Sequence, residues 1–248
     1  MKEIKKALMC TLLVTAMFHG YSQDKAKMEK EFVVVGSVTV RGKTIEGYIK
    51  KKLPYVYDEA EFPGYWKYQE EIKFIDKETF DNTEKIKGKM YVKYTPKTCD
   101  SYKYEDLTFV SYKYADLSAI GTASIPHQLF LMQVKKYDNV EFLFHYQQIP
   151  VIGTPEEFRA AVIENSENPT LIYMLKGGKS PKAVSLLNVK KELAECPTIL
   201  KNLEDGKYAG SRSSDKNFDL LGVRYYSNEI HFDRNMNVLE DYIKEGCR

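Results

Sequence analysis

The sequence predicts an α+β protein: an antiparallel, tyrosine-rich β-sheet in the N-terminal part and a mixed, mainly helical C-terminal part. Two observations lead to this prediction. The chain has 32 aromatic residues (19 Tyr, 12 Phe and one Trp), and 20 of them lie between Tyr55 and Tyr146. This enrichment is typical of pleated, half-buried strands. After Thr154, apolar residues instead recur at helical spacing, beside residues that begin and end helices.

Residues 1–22 are predicted to be a secretory signal peptide that is cleaved before Gln23. The segment starts with lysines, continues with the mostly apolar run Ala7 to Phe18 and ends on small residues at the positions that a signal peptidase reads. A membrane anchor is the first alternative, but the run has twelve residues, whereas a spanning helix needs about 20. A lipid anchor on Cys10 is the second alternative, but a bulky residue precedes the cysteine where a small one is expected. The expected location is the periplasm, the surface of the outer membrane through association with it, or the exterior after secretion.

Short strands are predicted through residues 23–150, the β-rich region. Val33 to Val40 and Thr44 to Ile49 read as a hairpin around a turn at residues 41–43. The runs 71–75 and 90–94 then alternate at period two. A second hairpin pairs residues 129–134 with residues 140–146 around Asp138-Asn139.

Residues 151–248 form the second predicted region, a hairpin plus helices, which can pack as one domain with the first. Thr154-Pro155-Glu156-Glu157 is a capping box with proline at the first helical position, and it predicts a helix of about ten residues. Residues 171–175 and 183–187 read as a hairpin. Asn188 caps a short helix and Pro197 begins another that Gly206 ends.

An amphipathic helix is predicted at the C-terminus. Its apolar residues recur at helical spacing and it ends at Gly246. These residues are Val238, Leu239, Tyr242 and Ile243.

The charge balance argues against nucleic-acid binding. The chain has 37 basic and 35 acidic side chains, and the signal peptide contains three Lys and one Glu, so 34 of each remain after cleavage. Proteins that grip nucleic acids need a clustered basic surface. No later apolar run reaches 18 residues, so no transmembrane segment is expected after cleavage.

Three cysteines follow the signal peptide, which allows one disulfide and one free thiol. We favour a bond between Cys196 and Cys247, 51 residues apart, because it ties down the C-terminus. The other pairings with Cys99 stay open, and so does the alternative of three buried thiols.

A tandem repeat supplies the candidate binding surface. Ser101-Tyr102-Lys103-Tyr104 recurs ten residues later as Ser111-Tyr112-Lys113-Tyr114. Since ten is even, we expect both tyrosine pairs to project from equivalent faces of strands and form one aromatic strip. An exposed strip would suit a glycan or protein partner. The alternative is that these rings line a sheet face packed on the core.

Several short segments resemble a broad group of exported, signal-peptide-bearing proteins of Bacteroidota-type bacteria. The segments are Tyr94-Thr95-Pro96, Tyr102-Lys103-Tyr104, Phe109-Val110-Ser111, Tyr114-Ala115-Asp116, Phe130-Leu131, Glu195-Cys196-Pro197, Gly206-Lys207-Tyr208 and Val223-Arg224-Tyr225-Tyr226-Ser227. That group has no established activity, so the resemblance implies a place in the cell envelope and no particular chemistry.

No chemical template fits the chain completely. Gly178-Lys179-Ser180 imitates the end of a phosphate-binding loop, but Tyr173 replaces the required glycine. The histidines show no zinc-binding spacing. His231-Phe232-Asp233 is compatible with a base and its orienting acid if that segment is extended. A Cys99 nucleophile lacks neighbours that lower its pKa.

The sequence therefore predicts an exported, non-enzymatic envelope or secreted protein that binds a protein or glycan partner. It identifies no catalytic residue and predicts no metal and no cofactor. The alternative is an exported hydrolase of an envelope polymer that uses scattered carboxylates or His231.

Overall fold

The computed structural model describes residues 25–57, 59–115, 125–149, 153–208 and 220–247. The predicted signal peptide lies outside the described residues. The strands are β1 Val33–Val40, β2 Lys43–Lys50, β3 Tyr55–Tyr57, β4 Ala60–Phe62, β5 Ile72–Asp76, β6 Val92–Tyr94, β7 Ser101–Tyr104, β8 Leu107–Tyr114, β9 His127–Lys136, β10 Val140–His145, β11 Thr170–Leu175 and β12 Lys182–Ala183.

Six α-helices and three short 3₁₀ turns complete the described elements. The helices are α1 (residues 25–31), α2 Lys77–Asn82, α3 Pro155–Glu167, α4 Val189–Glu192, α5 Pro197–Glu204 and α6 Leu220–Glu245. The 3₁₀ turns are Tyr65–Tyr68, Gly88–Met90 and Val184–Leu186. No helix of the described residues is long and apolar enough to cross a membrane.

Ten strands form one antiparallel sheet in the order β12-β11-β10-β9-β8-β7-β1-β2-β5-β6. Two meanders, β7 to β12 and β1-β2-β5-β6, meet where β1 pairs with β7. β3 and β4 form a separate hairpin. The large antiparallel sheet with its helices confirms the α+β class. The sheet continues past residue 150, because β11 and β12 of the second region extend it beyond β10.

Two-residue turns set the register of the hairpins. Val40 pairs with Lys43 around Arg41 and Gly42, whose φ angles are 51° and 74°. Positive φ at both turn positions matches the right-handed twist of the flanking strands. The predicted first hairpin is thus confirmed, and the hairpin around residues 138–139 is confirmed as β9 and β10.

A glycine pair lies in the interior strands β1 and β2 of the sheet. Gly36 of β1 is directly opposite Gly47 of β2. A Cβ atom on Gly36 would lie less than 3.0 Å from the carbonyl oxygen of Lys103 in β7, and one on Gly47 equally close to that of Ile75 in β5. Side chains here would push both neighbouring strands away.

Apolar clusters cover both faces of the sheet. On one face Tyr102, Phe109 and Phe130 pack with Trp66 of the first 3₁₀ turn and Val162 of α3. Farther along that face, helices α4 to α6 pack on β10 and β11. The opposite face carries a cluster of sheet residues at β8 to β12 and another beneath α2.

The helix boundaries follow the local signals in the sequence. The capping box at Thr154 begins α3, which has 13 residues rather than the expected ten. The cap at Asn188 and the start of α5 at Pro197 are confirmed, and the chain leaves α5 and α6 at Gly206 and Gly246, both with positive φ. The last helix is longer than predicted, at 26 residues.

The predicted hairpin at residues 171–187 needs a correction, because its second strand has only two residues, Lys182–Ala183. The chain then turns into a 3₁₀ segment whose Val184 is fully buried among the helices. Asn235 of α6 donates a hydrogen bond to the Val184 carbonyl at 2.8 Å. Residues 184–186 thus pack against α6 instead of continuing the strand.

Buried amide side chains satisfy backbone groups where strands end. The Gln69 amide accepts from the Tyr146 N–H at 2.8 Å and donates to the Tyr146 carbonyl at 2.5 Å. The Asn165 amide does the same for Gln147, at 2.7 and 2.9 Å. These two side chains thus supply the hydrogen bonds that a neighbouring strand would supply to the first two residues after β10.

We expect Gly36→Ala and Gly47→Ala each to lower the free energy of unfolding by roughly 1–3 kcal/mol, the usual cost of overpacking. The added methyl group meets strand backbone, which cannot move aside as a flexible side chain does. Urea unfolding measures the change. Gly88→Ala is the matched control, because nothing lies within 4 Å of a Cβ there. Equal stability of all three variants would contradict the close approach.

Gln69→Met keeps the side-chain length but removes both amide hydrogen bonds. We expect roughly 1–3 kcal/mol of destabilisation for each of the two backbone groups left unpaired. Gln128→Met is the control, since Gln128 is exposed and its amide donates to the Ser111 hydroxyl rather than to a backbone group. Thermal unfolding compares the variants, and a Gln69→Met protein as stable as the control would show that Gln69 does not hold β10.

Candidate functional site

The four repeat tyrosines do not form one strip, so that prediction is wrong. The β7–β8 hairpin pairs Tyr102 with Phe109 and Tyr104 with Leu107. Directly paired residues share a face, so the even-numbered residues of β7 lie with the odd-numbered residues of β8. Tyr112 and Tyr114 therefore point to the opposite face. Even spacing preserves the face along one strand, but the two-residue turn reverses it.

The burial of these tyrosines also argues against an exposed binding surface. Tyr102 and Tyr114 are each only 1% exposed, and the Tyr102 hydroxyl donates to the Tyr68 carbonyl at 2.9 Å. Tyr104 and Tyr112 are half-buried. The Tyr112 hydroxyl donates to the buried Glu141 carboxylate at 2.8 Å. These contacts support the alternative that the rings pack on the core.

The cysteines divide into a disulfide and one thiol. The structure pairs Cys196 with Cys247, with their Cα atoms 5.6 Å apart. Cys99 is free and buried, and burial raises the pKa of its thiol to about 11. A thiol that stays protonated at neutral pH is a poor nucleophile.

The other candidate catalytic, phosphate-binding and metal-binding groups are not arranged for those roles. His231 and Asp233 lie in helix α6 and not in an extended segment, so they are separated by roughly 200° around its axis. That correction removes them as a base and its orienting acid. Gly178-Lys179-Ser180 leads from β11 into β12 instead of into a helix. Among the described residues no group of three His, Cys, Asp or Glu is placed to hold a metal ion.

A cleft lined by lysines is the strongest candidate site. Two adjoining cavities of about 540 and 570 Å³ share the wall formed by residues 179–182 and the end of α4. Five lysines line them, against two glutamates. The lysines of this lysine cleft are Lys113, Lys176, Lys179, Lys182 and Lys191, and the glutamates are Glu192 and Glu195.

Local structure positions the two walls of the lysine cleft. On one side the β11–β12 connection turns at Gly177, whose φ is 77°, and buried Pro181 anchors its return. On the other side Asn188 caps α4 by accepting from the Lys191 N–H at 3.2 Å. The disulfide partners Cys196 and Cys247 close one end of the first cavity.

Glu192 is fully engaged at the base of the lysine cleft. Its carboxylate accepts from the Tyr173 hydroxyl at 2.8 Å, from the Lys182 ammonium at 2.9 Å and from the Asn188 N–H at 3.2 Å. Burial, reinforced by the bond to Glu192, raises the pKa of Tyr173. The Glu192 carboxylate therefore balances the charge of Lys182, while Lys113, Lys176, Lys179 and Lys191 remain exposed at the rim. This arrangement attracts anions.

Sequence reasoning missed the lysine cleft because its lysines are spread from Lys113 to Lys191. The signal in the sequence is Lys176-Gly177-Gly178-Lys179 with Lys182 shortly after, a pattern that is also typical of a simple turn. Lys113 of β8 and Lys191 of α4 come to line a cavity with this segment only through the tertiary structure.

Comparisons with known proteins identify no relative: no family model, no curated protein and no solved structure matches the chain.

We expect the protein to lose stability as the pH rises above 10. Burial raises the pKa of several tyrosines above the ordinary value of 10, so the unfolded chain releases these protons first. They are Tyr102, Tyr104, Tyr112, Tyr146 and Tyr173. Urea unfolding at a series of pH values measures the slope.

Tyr146→Phe tests one contribution to that slope, because it keeps the ring and removes the titrating hydroxyl. We expect a shallower decline above pH 10, the ordinary tyrosine pKa, and little change at lower pH. A stability that stays level above pH 10 in the unmodified protein would contradict the burial of these hydroxyls.

Proposed function

We propose that this protein is an exported, non-enzymatic envelope or secreted protein that binds a protein or glycan partner, and that the lysine cleft holds anionic groups of that partner. The observation that carries the proposal is the convergence of five lysines on one concave surface of a chain whose total charge is nearly balanced. Such local concentration of one sign of charge attracts a partner of the opposite sign.

Binding suits the lysine cleft better than catalysis does. A general acid or base needs a proton to exchange with substrate, and the Glu192 carboxylate is already occupied by three donors. The exposed lysines instead offer flexible ammonium groups that suit carboxylates, phosphates or sulfates. This combination favours a binding protein over the alternative of a polymer hydrolase.

Export is supported by the signal-peptide pattern of residues 1–22 and by the Cys196–Cys247 disulfide. Disulfides persist in oxidising compartments outside the cytoplasm. Because the protein is proposed to be exported, the anionic partner proposed is a component of the envelope and not a nucleic acid.

The test compares binding of polygalacturonate, a carboxylate-bearing glycan, with binding of neutral dextran. We expect the protein to bind the first and not the second. In the Lys179→Gln/Lys191→Gln double variant the affinity should fall at least about tenfold, since one lost charge-assisted hydrogen bond accounts for roughly that factor. Isothermal titration calorimetry measures both polymers.

Lys43→Gln/Lys73→Gln is the matched control, because it removes the same charge from exposed strand positions outside the lysine cleft. Its affinity should equal that of the unmodified protein, and both double variants should keep the melting temperature. Equal weakening by the two pairs would overturn the placement of the site. Release of reducing ends from the polymer would overturn the non-enzymatic proposal.

A further inference from the structure

A third cavity adjoins the lysine cleft on the other side of α4. It has a volume of about 600 Å³ and shares Leu186 and Asn188 with the second cavity of the cleft. The three cavities thus follow one another around the 3₁₀ turn at residues 184–186 and α4. Each lies in the size range of pockets that hold a small molecule.

The third cavity is also lined by cations. Lys190 and Arg234 face it together with His231, and Glu204 is its acidic residue. Lys190 and Lys191 are neighbours on α4, yet the first lines the third cavity and the second lines the lysine cleft. Helix α4 therefore contributes one lysine to the third cavity and one to the lysine cleft.

Arg234 is oriented for this role by its neighbour. Its Nε and Nη2 atoms donate to the side-chain Oδ1 of Asn235 at 3.2 and 3.1 Å, and the Asn235 Nδ2 in turn donates to the Val184 carbonyl. These two hydrogen bonds from Nε and Nη2 occupy one edge of the guanidinium group. An arginine fixed in this way suits a carboxylate or another planar or tetrahedral anion.

We infer that the anionic ligand is an extended polysaccharide with a repeating negative charge, which runs from the lysine cleft across α4 into the cavity at Arg234. This inference rests on the proposed function and specifies its ligand. A small anion would contact the cations of one cavity, whereas a chain with regularly spaced charges contacts those of all three at once. Contacts made in succession by one chain multiply the affinity.

The edge of the sheet argues for a polysaccharide over a peptide. An extended peptide usually binds such an edge as an added strand, through backbone hydrogen bonds. Here the edge strand β12 has two residues and Pro181 before it has no N–H group. Recognition therefore depends on the charged side chains, which suits a polymer that carries its anionic groups on sugar rings.

The experiment uses oligogalacturonides of roughly three and roughly twelve sugar units on the full mature protein. We expect the longer oligomer to bind at least tenfold more tightly than the shorter one. In the Lys190→Gln/Arg234→Gln double variant that ratio should fall toward one. Lys190→Gln alone, at an exposed position, should lower the ratio in the same direction without affecting the contact between Arg234 and Asn235.

The outcomes separate this inference from the proposed function. If short oligomers bind, and bind less well in Lys179→Gln/Lys191→Gln, but length brings no gain, the extended path is wrong and the binding function stands. If neither oligomer binds, both fail. Polyglutamate or oligothymidylate of similar length, binding as tightly and with the same length dependence, would overturn the assignment to a polysaccharide.

Discussion

The direct pairing of Gly36 with Gly47 is the constraint on which the ten-stranded sheet depends. These residues lie in the adjacent strands β1 and β2, and the space that a side chain would need at each is filled by backbone of the next strand, β7 on one side and β5 on the other. Glycine is the residue that permits such close approach of backbone. The two meanders can therefore meet as one sheet.

Amide side chains play a second structural role, which is to attach helical segments to that sheet. Gln69 and Asn165 satisfy the backbone of residues 146 and 147, and Asn235 connects α6 to the 3₁₀ turn before α4. Asn139, in the β9–β10 turn, donates to the carbonyls of Tyr242 and Cys247. Buried polar groups of this kind are costly when unpaired, so each one specifies a single placement of its helix.

The candidate site follows from these attachments. The C-terminal end of α6 is held by Asn139 and by the disulfide to Cys196, and Cys196 lies immediately before α5. Nearby, Glu192 attaches α4 to β11 and β12 through its contacts with Tyr173 and Lys182. One glutamate is thereby neutralised inside, and lysines predominate at the rim. A chain with nearly balanced total charge thus presents a locally cationic surface.

The sequence by itself determined the local elements: the period-two strands, the glycine turn at residues 41–42, the capping box at Thr154 and the helix that Pro197 begins. Each is specified by residues within a few positions of one another. Only the tertiary structure decided which faces the tyrosines occupy, because one two-residue turn between Tyr104 and Leu107 reverses the face from strand to strand. It also decided the site, since Lys113, Lys179 and Lys191 line one cavity although three strands separate β8 from β12 in the sheet, and no local pattern encodes that arrangement.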